Sequence, residues 1–210
     1  MTGRALLGCH AVEKRYGRRR ILGPLDLVIG AGEQVALTGE NGSGKTTLLR
    51  LAAGLARPTK GTIDHPAADQ VGFAGHAPAL YDELTPREQL GWWLRLQAGR
   101  HDPDAVLAAL AETGLARQAE QPQRSLSRGQ RQRVALLHAF LPEPALLLLD
   151  EPATALDAAG MDWLEGHLAA ARERGAAALL ALHDEAQVAR WSDRRIHLAH
   201  GCLQEREVAP

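Results

Sequence analysis

Residues 33–48 read EQVALTGENGSGKTTL. Glu33 to Thr38 has the composition of a buried strand. Gly39-Glu40-Asn41-Gly42-Ser43-Gly44-Lys45-Thr46 then fits G-x-x-x-x-G-K-[ST] at every specified position, and Leu48 to Leu55 (LLRLAAGL) continues as a helix expected to pack through Leu48, Leu51 and Leu55. Strand, glycine-rich loop and helix form the context in which this pattern holds phosphate. The glycines adopt conformations that a Cβ forbids, so successive backbone N–H groups converge on phosphate oxygens, and the helix N-terminus adds partial positive charge. Lys45 is expected to reach the β- and γ-phosphates, and the Thr46 hydroxyl to ligate Mg²⁺. Gly39, Glu40, Asn41, Gly42, Ser43, Gly44, Lys45, Thr46 and Thr47 are thus the candidate nucleotide-binding residues.

A second strand supplies the acids this cradle needs. Residues 146–152 read LLLLDEP, placing Asp150 and Glu151 at the C-terminal end of a continuous apolar run. In an open parallel sheet that edge is where ligands bind. Asp150 is the candidate magnesium partner beside Thr46, and Glu151 the candidate base for the attacking water. The competing view is a plain Asp-Glu-Pro turn, which the cradle makes the weaker one.

Around these two sites strands alternate with helical stretches, arguing for an α/β domain with a mainly parallel central sheet covered on both faces. Leu25, Leu27 and Ile29 share one strand face before a Gly30-Ala31-Gly32 turn. From about residue 85 to 140 the composition turns helical (PREQLGWWLRLQ, DPDAVLAALAETGL, RGQRQRVALLHAF), the pattern of a helical subdomain inserted into that core. A helix around Met161 to Glu173, a buried strand AAALLALH and a terminal αβ segment complete one domain over 1–210. Repeats, linkers and low-complexity tracts are not evident.

Composition narrows the function classes. The chain has 210 residues, 45% hydrophobic and 23% charged, with a formal net charge of −1. That balance gives no bulk attraction to nucleic acid, and no nucleic-acid partner is expected. The basic run Lys14-Arg15 and Arg18-Arg19-Arg20 is either a solvated patch or a phosphate-facing loop. No leader pattern opens the chain, and no apolar run approaches the ~20 residues of a membrane span. Cys9 and Cys202 form no metal-ligand or haem-attachment spacing and are expected to stay reduced in a cytoplasmic setting.

Between cradle and acids stands Leu126-Ser127-Arg128-Gly129-Gln130. With the motifs on either side it resembles the LSGGQ signature of ATP-binding-cassette (ABC) ATPases, departing only in Arg128, where a glycine is usual. The resemblance covers roughly residues 5–205. It implies a P-loop NTPase fold with N-terminal antiparallel strands and ATP hydrolysis. Tyr16-Gly17 stands where an aromatic stacks on adenine, Thr154-Ala155-Leu156-Asp157 looks like the D-loop, and His183 looks like the switch histidine. Ordinary packing for Tyr16 and a satisfied strand-end role for His183 are the alternatives. The family pairs two nucleotide-binding domains head to tail, so a second ABC ATPase subunit, here a homodimer partner, is implied. Ser127, Arg128, Gly129, Gln130 and Asp157 would then serve the ATP held by that partner.

The stretch Gly72-Phe73-Ala74-Gly75-His76 occupies the slot where the family usually carries a glutamine that touches Mg²⁺ or the attacking water. Neutral imidazole also offers an acceptor nitrogen, but it can turn cationic on acidification. A Gly-His here, followed by Glu83-Leu84-Thr85 and a short C-terminus, looks like the ATPase subunit of bacterial haem exporters for cytochrome c maturation. Catalytic candidates are therefore Glu151, His183 and His76. The resemblance further implies integral membrane permease subunits, a place on the cytoplasmic face of the inner membrane, and a docking surface near Leu80 to Leu96 with Trp92 and Trp93. Direct haem binding by this chain is not expected. A soluble ABC ATPase of DNA repair or translation would bring coiled-coil insertions or tandem cassettes, and a mere scaffold would lack Glu151.

Overall fold

Every residue of β3 (Gln34–Thr38) is buried, and its side chains alternate between two apolar layers. Val35 and Leu37 join one layer and Ala36 the other. β6 (Leu146–Asp150) and β7 (Ala177–Ala181) repeat the alternation, as two-sided burial of a period-2 element demands. The computed structural model describes residues 4–77, 79–99 and 102–206, so the outermost residues of the 1–210 span lie outside it.

With β5 (Val71–Ala74), β8 (Arg194–Ala199) and β9 (Cys202–Arg206), these strands make a six-stranded sheet of order β5-β6-β7-β3-β8-β9. All its pairings are parallel except the last, which is antiparallel. The terminal αβ segment therefore ends in a hairpin. Its two-residue loop, His200-Gly201, has both φ angles positive (51° and 78°), which matches the twist of the flanking strands.

One face of the sheet meets α1 (Lys45–Ala52) and a separate antiparallel sheet, β2-β1-β4, built from β1 (Ala5–Tyr16), β2 (Arg19–Gly30) and β4 (Lys60–Asp64). Leu25, Leu27 and Ile29 are buried there. Leu48 and Leu51 pack as expected, each contributing about 2 kcal/mol by burial. Leu55 does not. α1 stops at Ala52, Gly54 turns left-handed (φ 70°), and Leu55 is 57% exposed.

The other face is covered by α5 (Ala158–Glu173), α6 (Glu185–Trp191) and the second half of α4 (Arg128–Phe140). α5 begins three residues before Met161 because Asp157 caps it, accepting the Gly160 N–H at 2.9 Å. Another face of α4, through Val134 and Leu137, joins α2 (Pro86–Ala98) and α3 (Pro103–Glu112) around a third core with Leu90, Leu94, Val106 and Leu110. α4 thus belongs to both the sheet and the helical lobe. None of the described helices is long and apolar enough to cross a membrane.

Candidate functional site

The C-terminal ends of β3 and β6 bring the cradle and the two acids together. Gly44 ends the loop in a left-handed conformation (φ 113°) as the N-cap of α1, with no side-chain cap. A Cβ there would come 2.8 Å from Leu22 Cδ2, so both the dihedral and the packing demand glycine. The first amides of α1 consequently stay free for an anion. Lys45 Nζ donates to the carbonyls of Gly39 (2.7 Å) and Glu40 (3.1 Å), bridging the loop's own backbone. Burial lowers the lysine pKa, while Glu151 and Asp150 pull the other way. Glu40, Asn41 and Gly42 are exposed, and the Ser43 hydroxyl is buried without a hydrogen-bond partner among the described residues.

Thr46 Oγ1 donates to Asp150 Oδ2 at 2.6 Å, joining two residues 104 positions apart. Both are hard oxygen donors beside the phosphate loop. Among the described residues no group of three or more His, Cys, Asp and Glu forms a metal cage. Magnesium fits such a site, since it is commonly held by one or two protein oxygens with phosphates and water supplying the rest.

Glu151 follows at positive φ (53°) and is held from two sides. His183 Nε2–H donates to Oε1 at 2.6 Å, and His76 Nδ1–H lies 3.1 Å from Oε2. Partial burial opposes the carboxylate's charge. The His183 hydrogen bond, with His183, His76 and Lys45 close by, outweighs it and keeps the group below the ordinary carboxylate range. A cleft of about 310 Å³ over the cradle is lined by Asn41, Gly42, Gly44, Lys45, Thr46, Thr47 and Glu151, and also by Arg19 and Ile21 of β2.

The remaining candidates lie elsewhere. Tyr16 ends β1 half-exposed, opposite Arg19 across the hairpin, with the Lys14 amine 4.9 Å above its ring. Ser127, Arg128, Gly129 and Gln130 open α4 and are not among the residues that line the cleft. They are fastened to the loop that carries Glu151 to Asp157. Gln132 Nε2 donates to the Pro152 carbonyl (3.1 Å), Arg133 donates to Asp157 (2.5 Å) and to the Thr113 carbonyl (2.9 Å), and a Cβ on Gly129 would stand 2.5 Å from the Ala155 carbonyl. Hydrogen bonds from Arg133 and the Gly160 N–H hold the Asp157 carboxyl below its usual range. Gln132, Arg133, Arg19 and Ile21 were not site candidates from sequence. Only the basic run around Arg19 gave a signal.

Near His76 a second cleft, about 370 Å³, opens between sheet and lobe. Tyr81 and Trp92 line it edge to face with each other (ring centroids 6.0 Å apart) and are 58% and 47% exposed. Trp93 is half-buried there, stacked 3.8 Å from the His138 ring and donating to the His138 carbonyl at 2.9 Å.

A family model described as "ABC transporter" matches residues 22–154. Among curated relatives, the cytochrome c biogenesis ATP-binding export protein CcmA of Pseudomonas savastanoi pv. phaseolicola is 43% identical, the match spanning 79% of this chain and 82% of the relative. The protein of the same name from Bordetella bronchiseptica is 40% identical over 85% and 83%. An ATP-binding subunit of an ABC transporter superposes with TM-score 0.89 at 28% identity, covering 97% of this chain and 90% of that one. A dimeric ATP-binding cassette in a post-hydrolysis state with ADP and Pi gives TM-score 0.87 at 27% identity over 97% and 99%.

Proposed function

The chain belongs to the ABC transporter family and hydrolyses ATP, and we propose that it works as one half of a head-to-tail ATPase pair that drives the haem-exporter type of complex used in cytochrome c biogenesis. The observation that carries this reading is the meeting of cradle and acids, Lys45 and Thr46 with Asp150 and Glu151, where a magnesium nucleotide would lie. The cytochrome c assignment is supported by the 40–43% identity to export proteins named for that process and by histidine at position 76.

In this reading the freed amides of α1 and the Lys45 ammonium hold the β- and γ-phosphates. Thr46 and Asp150 hold Mg²⁺, which when bound neutralises phosphate charge. Tyr16 gives the adenine a platform. Glu151 accepts a proton from the attacking water, and His183 fixes the carboxylate's orientation. His76, on the other carboxylate oxygen, links the base to the cleft beside Trp92 where a membrane permease subunit docks on the cytoplasmic side. Ser127, Arg128 and the Gly129 amide complete the γ-phosphate contacts of the partner's nucleotide, with Asp157 at the same interface. A lone chain leaves that phosphate open to water on one side, so its stabilisation is incomplete.

The test is Glu151→Gln. Removing the base should lower kcat about 10²–10⁴-fold while nucleotide binding persists. The saturated variant should run as a dimer in size-exclusion chromatography, and wild-type specific activity should fall on dilution. A variant that stays monomeric with MgATP, beside a wild type whose specific activity is independent of dilution, would refute the pair. Co-purification of a membrane subunit from the native source tests the transport assignment.

A further inference from the structure

Sequence alone left the run Arg18-Arg19-Arg20 as one patch, and the fold separates its members. Arg18 lies in the hairpin turn, while Arg19 opens β2 directly across from Tyr16. β2 carries an extra residue between Arg20 and Leu22 in its register with β1, so alternation is broken there, and Arg19 and Ile21 line one cleft. Ile21 rests against the cradle: a Cβ on Gly44 would meet its Cγ2 at 3.3 Å. Arg20 lines a neighbouring cleft with Glu40 to Ser43 and His197 to Gly201, not the one that holds Lys45, Thr46 and Glu151, and its Cζ is 3.9 Å from where a Cβ of Gly23 would stand.

Arg19 therefore lines the cleft over the cradle together with Lys45, Thr46 and Glu151. It and Lys45 are the cations among the described residues that do so. Their situations differ. Lys45 is buried and already engaged with two loop carbonyls. Arg19 is exposed, at the mouth of the cleft. Along β2 it stands roughly 7 Å back from Ile21, between the base platform and the glycine loop.

We infer that Arg19 is a substrate-binding residue whose guanidinium grips the nucleotide's phosphate chain at its nucleoside-proximal end. This rests on the ATPase reading above and adds a contact to it. Guanidinium matches phosphate oxygens in a two-pronged geometry that ammonium cannot copy. The α-phosphate keeps its charge throughout γ-phosphoryl transfer. The contact is consequently as strong with ATP, the transition state and ADP, and it sets affinity without accelerating chemistry.

The experiment compares full-length wild type, Arg19→Ala and Arg20→Ala, which remove the same net charge. Calorimetric titration with MgADP gives affinity, and steady-state hydrolysis gives KM and kcat. Arg19→Ala should weaken ADP binding and raise the KM for ATP about 10-fold, the scale of one charge-assisted contact, with kcat within about two-fold. Arg20→Ala should stay within about two-fold throughout. Equal losses in both variants, an ADP affinity in Arg19→Ala within two-fold of wild type, or a kcat fall as large as the KM rise would overturn the inference. A wild type that binds no ADP would instead sink the ATPase reading itself.

Discussion

α1 starts from Gly44, which offers no side-chain cap, whereas α4 starts from Ser127 inside a closed reciprocal cap. There the Ser127 hydroxyl accepts the Gln130 N–H at 3.3 Å while Gln130 Oε1 accepts the Ser127 N–H at 2.8 Å. Neither helix has an acid in its first turn. Both ends are electropositive and both carry a cation, Lys45 or Arg128, against the sign their dipoles favour. The difference teaches what each end is for. α1 has no side-chain cap, which leaves its first amides for the nucleotide proposed to bind there. α4 satisfies the Gln130 amide from its own Ser127, so that part of its N-terminus is fixed without any ligand. The Ser127 hydroxyl still keeps its proton to donate.

Substitutions at the two ends should accordingly have different signatures. Lys45→Ala removes the cradle's buried cation, so nucleotide affinity should fall about 100-fold or more in isothermal titration, and hydrolysis with it. A retained affinity would break the contrast by showing that the loop amides suffice. The far end of α4 supplies the next effect. Burial against Trp93 pushes the His138 pKa down from 6.5 to about 4. The unfolded chain takes up a proton near pH 6.5 and the folded ring only near 4. Its neutral burial therefore costs nothing above 6.5, and stability is lost as pH falls through that window, by about 3 kcal/mol at pH 4. Denaturant titrations at pH 7 and 4.5 should show a smaller acid loss in His138→Phe than in wild type; equal losses would place the proton elsewhere. The smallest effect belongs to Ser127→Ala, which removes one half of the reciprocal cap. Stability should drop about 1 kcal/mol, ADP affinity should stay put, and turnover should fall. A matching loss of ADP affinity would mean that α4 serves the nucleotide of its own chain.

The cradle, LLLLDEP and the buried strand that became β3 were legible in the sequence because each is local: a strand, a loop and its glycines lie within a dozen residues. What escaped needed distance. That β4 returns to pair with β1, and that the chain ends in a β8–β9 hairpin, depends on partners the period-2 pattern does not name. Leu55 kept helical spacing in the sequence, yet the left-handed Gly54 had already ended the helix. His76 and His183 were singled out separately through resemblance, but nothing in the order of residues told that they hold opposite oxygens of one carboxylate. Gln132 and Arg133 looked like ordinary positions of an amphipathic helix, and only folding showed which loop they hold.

Those two side chains carry a mechanical corollary. Through Pro152 and Asp157 they tie the start of α4 to the loop that carries Glu151 to Asp157. In a symmetric couple each chain then leans on both reaction chambers at once. In the pair proposed above, a tilt of the lobe would then cock or release the two chambers in step, and firing would be collective rather than private to either subunit.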